Sequence, residues 1–210
     1  MASAFGLDAR EHWDHTSRYY DRQLWLERSA VSLAVRMLAT RRTDRCLDLG
    51  TGTGEVLRHL ARQTAAPERV TGIDISPRML ERVRTLPVGW ELALGDIRAL
   101  PVADHAFDAA TASYLLHLLP LAHLPLALSE VGRALRPGGR LVTVTPAVPP
   151  QQPTRVIGTL LDRTGRRWPA RVGGLRALDP RPALAECGFE PIHSRWSVRG
   201  YPSLVVLCRT

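Results

Sequence analysis

Lysine is missing altogether: all 28 basic residues of the 210-residue chain are arginine, and against 20 acidic residues they leave a formal charge of +8. A surface selected to grip phosphate commonly uses both basic residues, because lysine serves phosphate well as a point charge. The arginines are also dispersed, with Arg41-Arg42 and Arg166-Arg167 as the densest spots and no block of five. The absence of lysine beside abundant Ala, Arg, Gly and Pro reads as GC-rich codon usage, and no nucleic-acid partner is expected. Cysteine is scarce too. Cys46, Cys187 and Cys208 are too few and odd in number for a disulfide framework, which suits a reducing cytoplasm, and their apolar surroundings predict buried, inert thiols. No apolar run approaches the roughly 18 residues of a membrane span. The stretch from Met1 to Asp21 is charged rather than continuously apolar, unlike a signal peptide. Gly and Pro, at 16 each, are too sparse for a collagen-like or low-complexity chain.

What remains is an ordinary globular composition, 45% hydrophobic and 23% charged, on a length that suits one domain. Apolar residues at helical steps (Leu24, Val31, Val35, Leu38) predict a helix from Leu24 to Ala39 within a helical cap over residues 1–40. Short apolar runs then alternate with helical stretches. Strands are expected at Arg45–Leu49, Arg69–Ile75, Trp90–Leu94, Phe107–Ser113 and Leu141–Thr145. Helices are expected at Glu55–Gln63, after the Ser76-Pro77 start signal, and at Leu121–Leu135, where Pro137-Gly138-Gly139 stops the last. This alternation argues a parallel α/β sheet with helices on both faces. Asp179-Pro180 opens a short helix that Gly188 can close. Two further strands, His193–Arg199 and Leu204–Arg209, are joined too tightly by Gly200-Tyr201-Pro202 for a parallel crossover, so they form an antiparallel pair. The stretch 146–178, with a candidate helix at Thr154–Asp162, is too long for a bare loop and reads as a lid.

The sharpest segment is CLDLGTGTGE, Cys46 to Glu55, a strand entering a helix through glycines at alternate positions. Gly50, Gly52 and Gly54 permit a tight turn and bring a ligand close to bare backbone amides. A dinucleotide fingerprint needs its third glycine one residue later, where this chain has Glu55. Asp48 precedes the loop. Asp74 ends the second strand, placed to accept from a ribose diol, and Gly95-Asp96 ends the third, placed to accept from an adenine amino group. A glycine loop alone is weak evidence; acids at the ends of three successive strands, correctly spaced, are specific.

From Asp44 to Thr145 the chain resembles the class I S-adenosyl-L-methionine-dependent methyltransferases, closest to the ubiquinone/menaquinone-type, small-molecule branch. The matching residues are DLGTGTG (Asp48–Gly54), GIDIS (Gly72–Ser76), GDIRALPVADHAFD (Gly95–Asp108) and LRPGGRL (Leu135–Leu141). The resemblance implies a Rossmann-like seven-stranded sheet with its last strand antiparallel, helices on both faces and an N-terminal helical extension, as a single domain over 1–210. It also implies a donor site for S-adenosyl-L-methionine. Gly50 and Gly52 would border the methionine moiety, Asp48 and Thr51 would belong to the same donor-binding set, Asp74 would hold the ribose, and Ile75 and Met79 would flank the adenine. Asp96 and Ile97 would sit at the adenine edge, and Ser113 would face the sulfonium. An N-terminal tyrosine often covers the methionine portion in this family, and Tyr20 fits that place better than its neighbour Tyr19. The implied partner is a small-molecule methyl acceptor, floored by the 146–178 insert and the N-terminal helices (Trp168, Leu160, Leu161, Tyr19, Trp13).

Other sites carried by this fold are missing. DAATASY (Asp108–Tyr114) stands where amino-methylating DNA enzymes carry a D-P-P-Y-like stretch. No proline precedes any cysteine, and no second acid follows Asp108 before Glu130 to complete a metal site. No metal is expected; His12 and His15 read as solvent-facing or supporting residues and His123 as exposed. His117 follows the fourth strand and is the one candidate general base, against the plainer reading that it packs under the lid. Two alternatives remain, an RNA methyltransferase and a donor-binding protein that does not methylate.

Overall fold

Buried runs of β-branched and aliphatic residues set the strands, and amphipathic stretches set the helices between them. The computed structural model describes residues 9–20, 24–150, 156, 158–160, 163 and 176–210. In chain order these form α1 (Ala9–Tyr20), α2 (Leu24–Leu38), β1 (Arg45–Leu49), α3 (Glu55–Ala61), β2 (Arg69–Asp74), α4 (Pro77–Leu80), β3 (Trp90–Leu94) and β4 (Phe107–Ser113). Two 3-10 turns follow, Leu116–Leu118 and Leu121–His123, then α5 (Leu124–Ala134), β5 (Leu135–Pro146), α6 (Arg181–Glu186), β6 (Glu190–Ser197) and β7 (Ser203–Arg209). The seven strands are ordered β3-β2-β1-β4-β5-β7-β6, the first five parallel and β7 antiparallel to both its neighbours. The expected fold is therefore the observed one.

Strand alternation assigns side chains to two faces. Leu47, Leu49, Ala110, Leu141, Leu204 and Val206 pack under α5 and α6 with Leu128, Val131 and Leu184. Cys46, Val70, Val142, Val144 and Val205 pack under α2 and α3, against Val31, Val35, Leu38, Leu57 and Leu60. Each fully buried leucine of this kind contributes about 1.5–3 kcal/mol through removal from water. Cys46 and Cys208 are buried as expected, and burial pushes both thiols up to about 12. Cys187, at the end of α6, is half-exposed, contrary to the expectation for all three.

Boundaries differ where local chemistry was ambiguous. β5 starts at Leu135, six residues early: Leu135 pairs with Phe107 and Arg140 with Ala109, so the Pro-Gly-Gly stretch bulges out of a strand rather than simply stopping a helix. α5 begins at Leu124 and not Leu121, because Pro125 has no amide to donate and fits only a first turn; a 3-10 turn fills the gap. β6 begins earlier than expected, at Glu190, and stops at Ser197. The helix expected at Thr154–Asp162 falls largely outside the described residues, as does Trp168. Among the described residues no helix is long and apolar enough to cross a membrane.

Candidate active site

The parallel register brings the C-terminal ends of four strands to one edge. Leu49 pairs with both Ile73 and Ala112, and Asp74 with Leu94, so Gly50, Asp74 and Ser113 emerge at the same level, with Ile75 and Gly95 one residue beyond. Strand order reverses between β1 and β4, the place where open α/β sheets form their ligand crevices. A cleft lies there. Of the eleven residues expected to hold the donor, eight line it: Gly50, Gly52, Asp74, Ile75, Met79, Asp96, Ile97 and Ser113.

Gly50 has a φ of +65°, and a Cβ there would lie 3.0 Å from Leu115 Cδ1, so the left-handed region and the close approach both call for glycine. The loop is held from beneath. Thr51 donates its amide to the Ile73 carbonyl (3.0 Å) and its hydroxyl to the Asp48 carbonyl (3.0 Å). Gly72 lacks a side chain where one would strike the Thr51 hydroxyl at 2.7 Å. Thr51 and Asp48 therefore support the cleft from the interior rather than lining it. Asp48 is 1% exposed, accepts from the Thr111 hydroxyl, and leaves Oδ2 without a hydrogen bond. Burial, reinforced by the charge of Asp74 and opposed by the Thr111 and Thr51 hydrogen bonds, raises its carboxyl to about 7.

Asp74 lines the cleft and accepts from the Gly52 amide through Oδ2 (2.8 Å) and from the Ser76 amide through Oδ1 (2.9 Å), with the Ile75 amide also hydrogen-bonding the carboxylate. Its pKa is raised by burial and by the nearby charge of Asp14, against the lowering by those amides. The next carboxylate is differently placed. Asp96 is clasped by Arg98, whose Nε lies 3.0 Å from both oxygens and whose amide donates to Oδ1 at 2.9 Å. Burial would raise Asp96, but the Arg98 hydrogen bonds and charge outweigh it and hold the carboxyl below its usual range. Arg98 Nη1 approaches His123 Nδ1 at 3.4 Å, and both residues line the cleft. His123 is thus half-buried, not exposed as expected. The grip of Arg98 on Asp96 had no signal in the sequence.

The N-terminal helix closes one side. The Ser76 hydroxyl caps α4 by accepting from the Met79 amide (3.1 Å) and donates to Asp14 Oδ1 (2.5 Å), pinning α1 and presenting Ala9 and Trp13 to the cleft. His12, expected to face solvent or to play a supporting part, is buried edge-on to Trp13, while His15 is exposed. The side chains of Tyr19 and Tyr20 lie outside the described residues. Ser113 lines the cleft, and its Oγ makes no hydrogen bond. His117 does not line it. It is buried in the first 3-10 turn, with Nδ1 lacking a hydrogen bond, and burial together with the charge of Arg176 lowers its pKa to about 3. No group of three or more His, Cys, Asp and Glu side chains suited to a metal occurs among the described residues.

Comparison with known proteins follows this geometry. Residues 46–139, the span from β1 to the bulge of β5, match the model of the methyltransferase domain family. Demethylmenaquinone methyltransferase of Tropheryma whipplei is 40% identical over 114 residues, covering 52% of this chain and 44% of that protein. The chain thus spans about half the length, or less, of the curated relatives it matches most strongly. A methyltransferase from Haloferax volcanii, solved in complex with the Trm112 activator, shares the fold with a TM-score of 0.74 at 18% identity, over 94% of this chain and 96% of that one. The 1,6-didemethyltoxoflavin-N1-methyltransferase of Burkholderia thailandensis, solved with its substrate and S-adenosylhomocysteine, gives 0.67 at 20% identity over 97% and 91%. These structural likenesses extend the shared fold beyond residues 46–139 to nearly the whole chain.

Proposed function

We propose that this chain transfers a methyl group from S-adenosyl-L-methionine to an O, N or C nucleophile of a small molecule. One observation carries the reading: eight residues assigned to donor binding, spread over four strand ends, line a single cleft. The residues present fit the donor. Bare backbone at Gly50 and Gly52, the Asp74 carboxylate and Ser113 line the same space. Bound S-adenosyl-L-methionine supplies a methyl on a cationic sulfur that leaves as a neutral thioether.

The chain then has to align and exclude water. Asp74 accepts from the ribose hydroxyls while ordering the glycine loop, Ile75 and Met79 enclose the adenine, and Asp96, fixed by Arg98, meets its amino edge with Ile97. Asp48 and Thr51 brace the loop from below. Trp13 on α1 lines the cleft, with Tyr20 assigned to the methionine portion of the donor and Tyr19 and the 146–178 insert to the acceptor side of a single 1–210 unit. Positioning rather than proton abstraction supplies most of the acceleration, since His117 sits outside the cleft as a weak base. Incubation with S-adenosyl-L-methionine and a panel of phenols, amines and quinols, with tRNA in parallel, tests the proposal. Formation of S-adenosylhomocysteine with a small acceptor is expected. Turnover on tRNA alone, or on nothing while S-adenosylhomocysteine binds, would overturn it in favour of an RNA enzyme or a donor-binding protein.

A further inference from the structure

Three non-glycine residues among those described have left-handed backbone, Ala39, His105 and Tyr114, and only Tyr114 lines the cleft. A bulky residue at φ +53° is strained, and such strain persists only where the surroundings enforce it. The enforcing contacts are specific. The Tyr114 amide donates to the Val144 carbonyl at 2.8 Å, extending the β4–β5 ladder one residue past Ser113. Its phenol oxygen lies 2.7 Å from Ser203 Oγ at the start of β7. Ser203 spends its single proton on the Tyr201 carbonyl (2.8 Å), so the phenol must be the donor of the pair. The ring is buried against the α2 face of the sheet and stands edge-on to His117, 6.2 Å between centroids.

The left-handed turn reverses the chain exactly where the cleft needs a wall. It leaves Ser113 lining the cleft on one side and folds Leu115 onto Gly50 on the other, at the distance that excludes any Cβ from Gly50. We propose that Tyr114 is a positioning residue: its hydroxyl, tethered across the sheet to Ser203, holds the strained turn closed on the glycine loop and so sets the wall against which the donor seats. The tether couples β7, which contributes nothing to the cleft directly, to the donor site. This inference rests on the donor reading above.

The test is calorimetric titration with S-adenosylhomocysteine, alongside thermal unfolding, of wild type, Tyr114→Phe, Ser203→Ala and the double variant, with Leu204→Ala as a control for simple loss of β7 packing. Tyr114→Phe and Ser203→Ala should each weaken binding by the folded protein about 3–10-fold, the scale of one neutral hydrogen bond. The double variant should bind no worse than the poorer single one, because both remove the same tether. Leu204→Ala should lower the melting temperature and leave affinity within about twofold. Unchanged affinity in Tyr114→Phe, losses that multiply in the double variant, or equal weakening by Leu204→Ala would overturn the inference while leaving the donor reading intact. A wild type that takes no S-adenosylhomocysteine would overturn both.

Discussion

The parallel strands β1 to β4 and the antiparallel set β5, β7 and β6 lie in one sheet, yet only the first group ends in residues that line the cleft. Parallel crossovers return every strand in the same direction, so their loops accumulate at one edge and can be spent on glycines and carboxylates. The β6–β7 turn is spent on packing instead. At Gly200 a Cβ would come within 2.0 Å of the Leu26 carbonyl, and Tyr201 donates its amide to that same oxygen. One half of the sheet is therefore built to meet a ligand and the other to hold the first in place. Variants in the two halves should separate binding from stability.

The largest expected effect is on the stabilising side. Leu204, fully buried in β7, should cost about 2–5 kcal/mol of stability on truncation to alanine, read as a denaturation midpoint, while the folded protein binds S-adenosylhomocysteine unchanged. Asp74→Ala should do the reverse, losing about 2–3 kcal/mol of S-adenosylhomocysteine affinity by calorimetry, as expected for hydrogen bonds to a charged group. Equal losses of affinity from both variants would dissolve the contrast. Because burial raises the Asp74 pKa, its charge is lost at higher pH than for an exposed aspartate, and wild-type affinity should begin to fall correspondingly early on acidification. Asp96→Ala should cost less affinity, roughly 1–2 kcal/mol, since one amino group can turn to water and Arg98 remains beside it.

The smallest catalytic effect is expected at His117. His117→Gln should lower kcat by less than about tenfold, against the 10²–10⁴-fold range typical of a general base. A hundredfold loss that recovers as pH rises would make it the base after all. The same residue predicts a stability signature. Burial and the Arg176 charge hold its folded pKa at about 3, below the ordinary imidazole value of 6.5, so the stability of the neutral form is fully present above about 6.5 and lost as pH falls toward 3. Wild type should therefore lose more stability than His117→Gln between neutral and mildly acidic pH, measured by denaturant midpoints.

How legible these halves were depended on whether their determinants were local. β1, β3 and β4 fall where apolar periodicity placed them, and the antiparallel ending followed from the three-residue turn alone. The glycine loop, Asp74 and Asp96 could be found because strand ends and glycine spacing are short-range signals, whereas Met79, inside α4, came only from the family resemblance. Residues whose role depends on distant partners could not. Trp13 was expected only on the acceptor floor, and the contact that holds it at the cleft, Asp14 with Ser76, spans 62 positions; Tyr114 is set by Ser203, 89 positions away. Asp96 was legible as an acid at a strand end, but the arginine two residues later reads equally well as a solvated side chain. The bulge at Arg136–Gly139 escaped for a similar reason, since Pro-Gly-Gly marks a break without saying whether a strand resumes across it.

The central claim is that the cleft at the ends of β1 to β4 takes an S-adenosyl nucleoside. Calorimetric titration of wild type and Asp74→Ala with S-adenosylhomocysteine, and of wild type with NAD, tests it most directly. One-to-one binding of S-adenosylhomocysteine, severely weakened in the variant, with no binding of NAD, is the predicted result. Affinity for S-adenosylhomocysteine that is absent from wild type or unchanged in Asp74→Ala would contradict it.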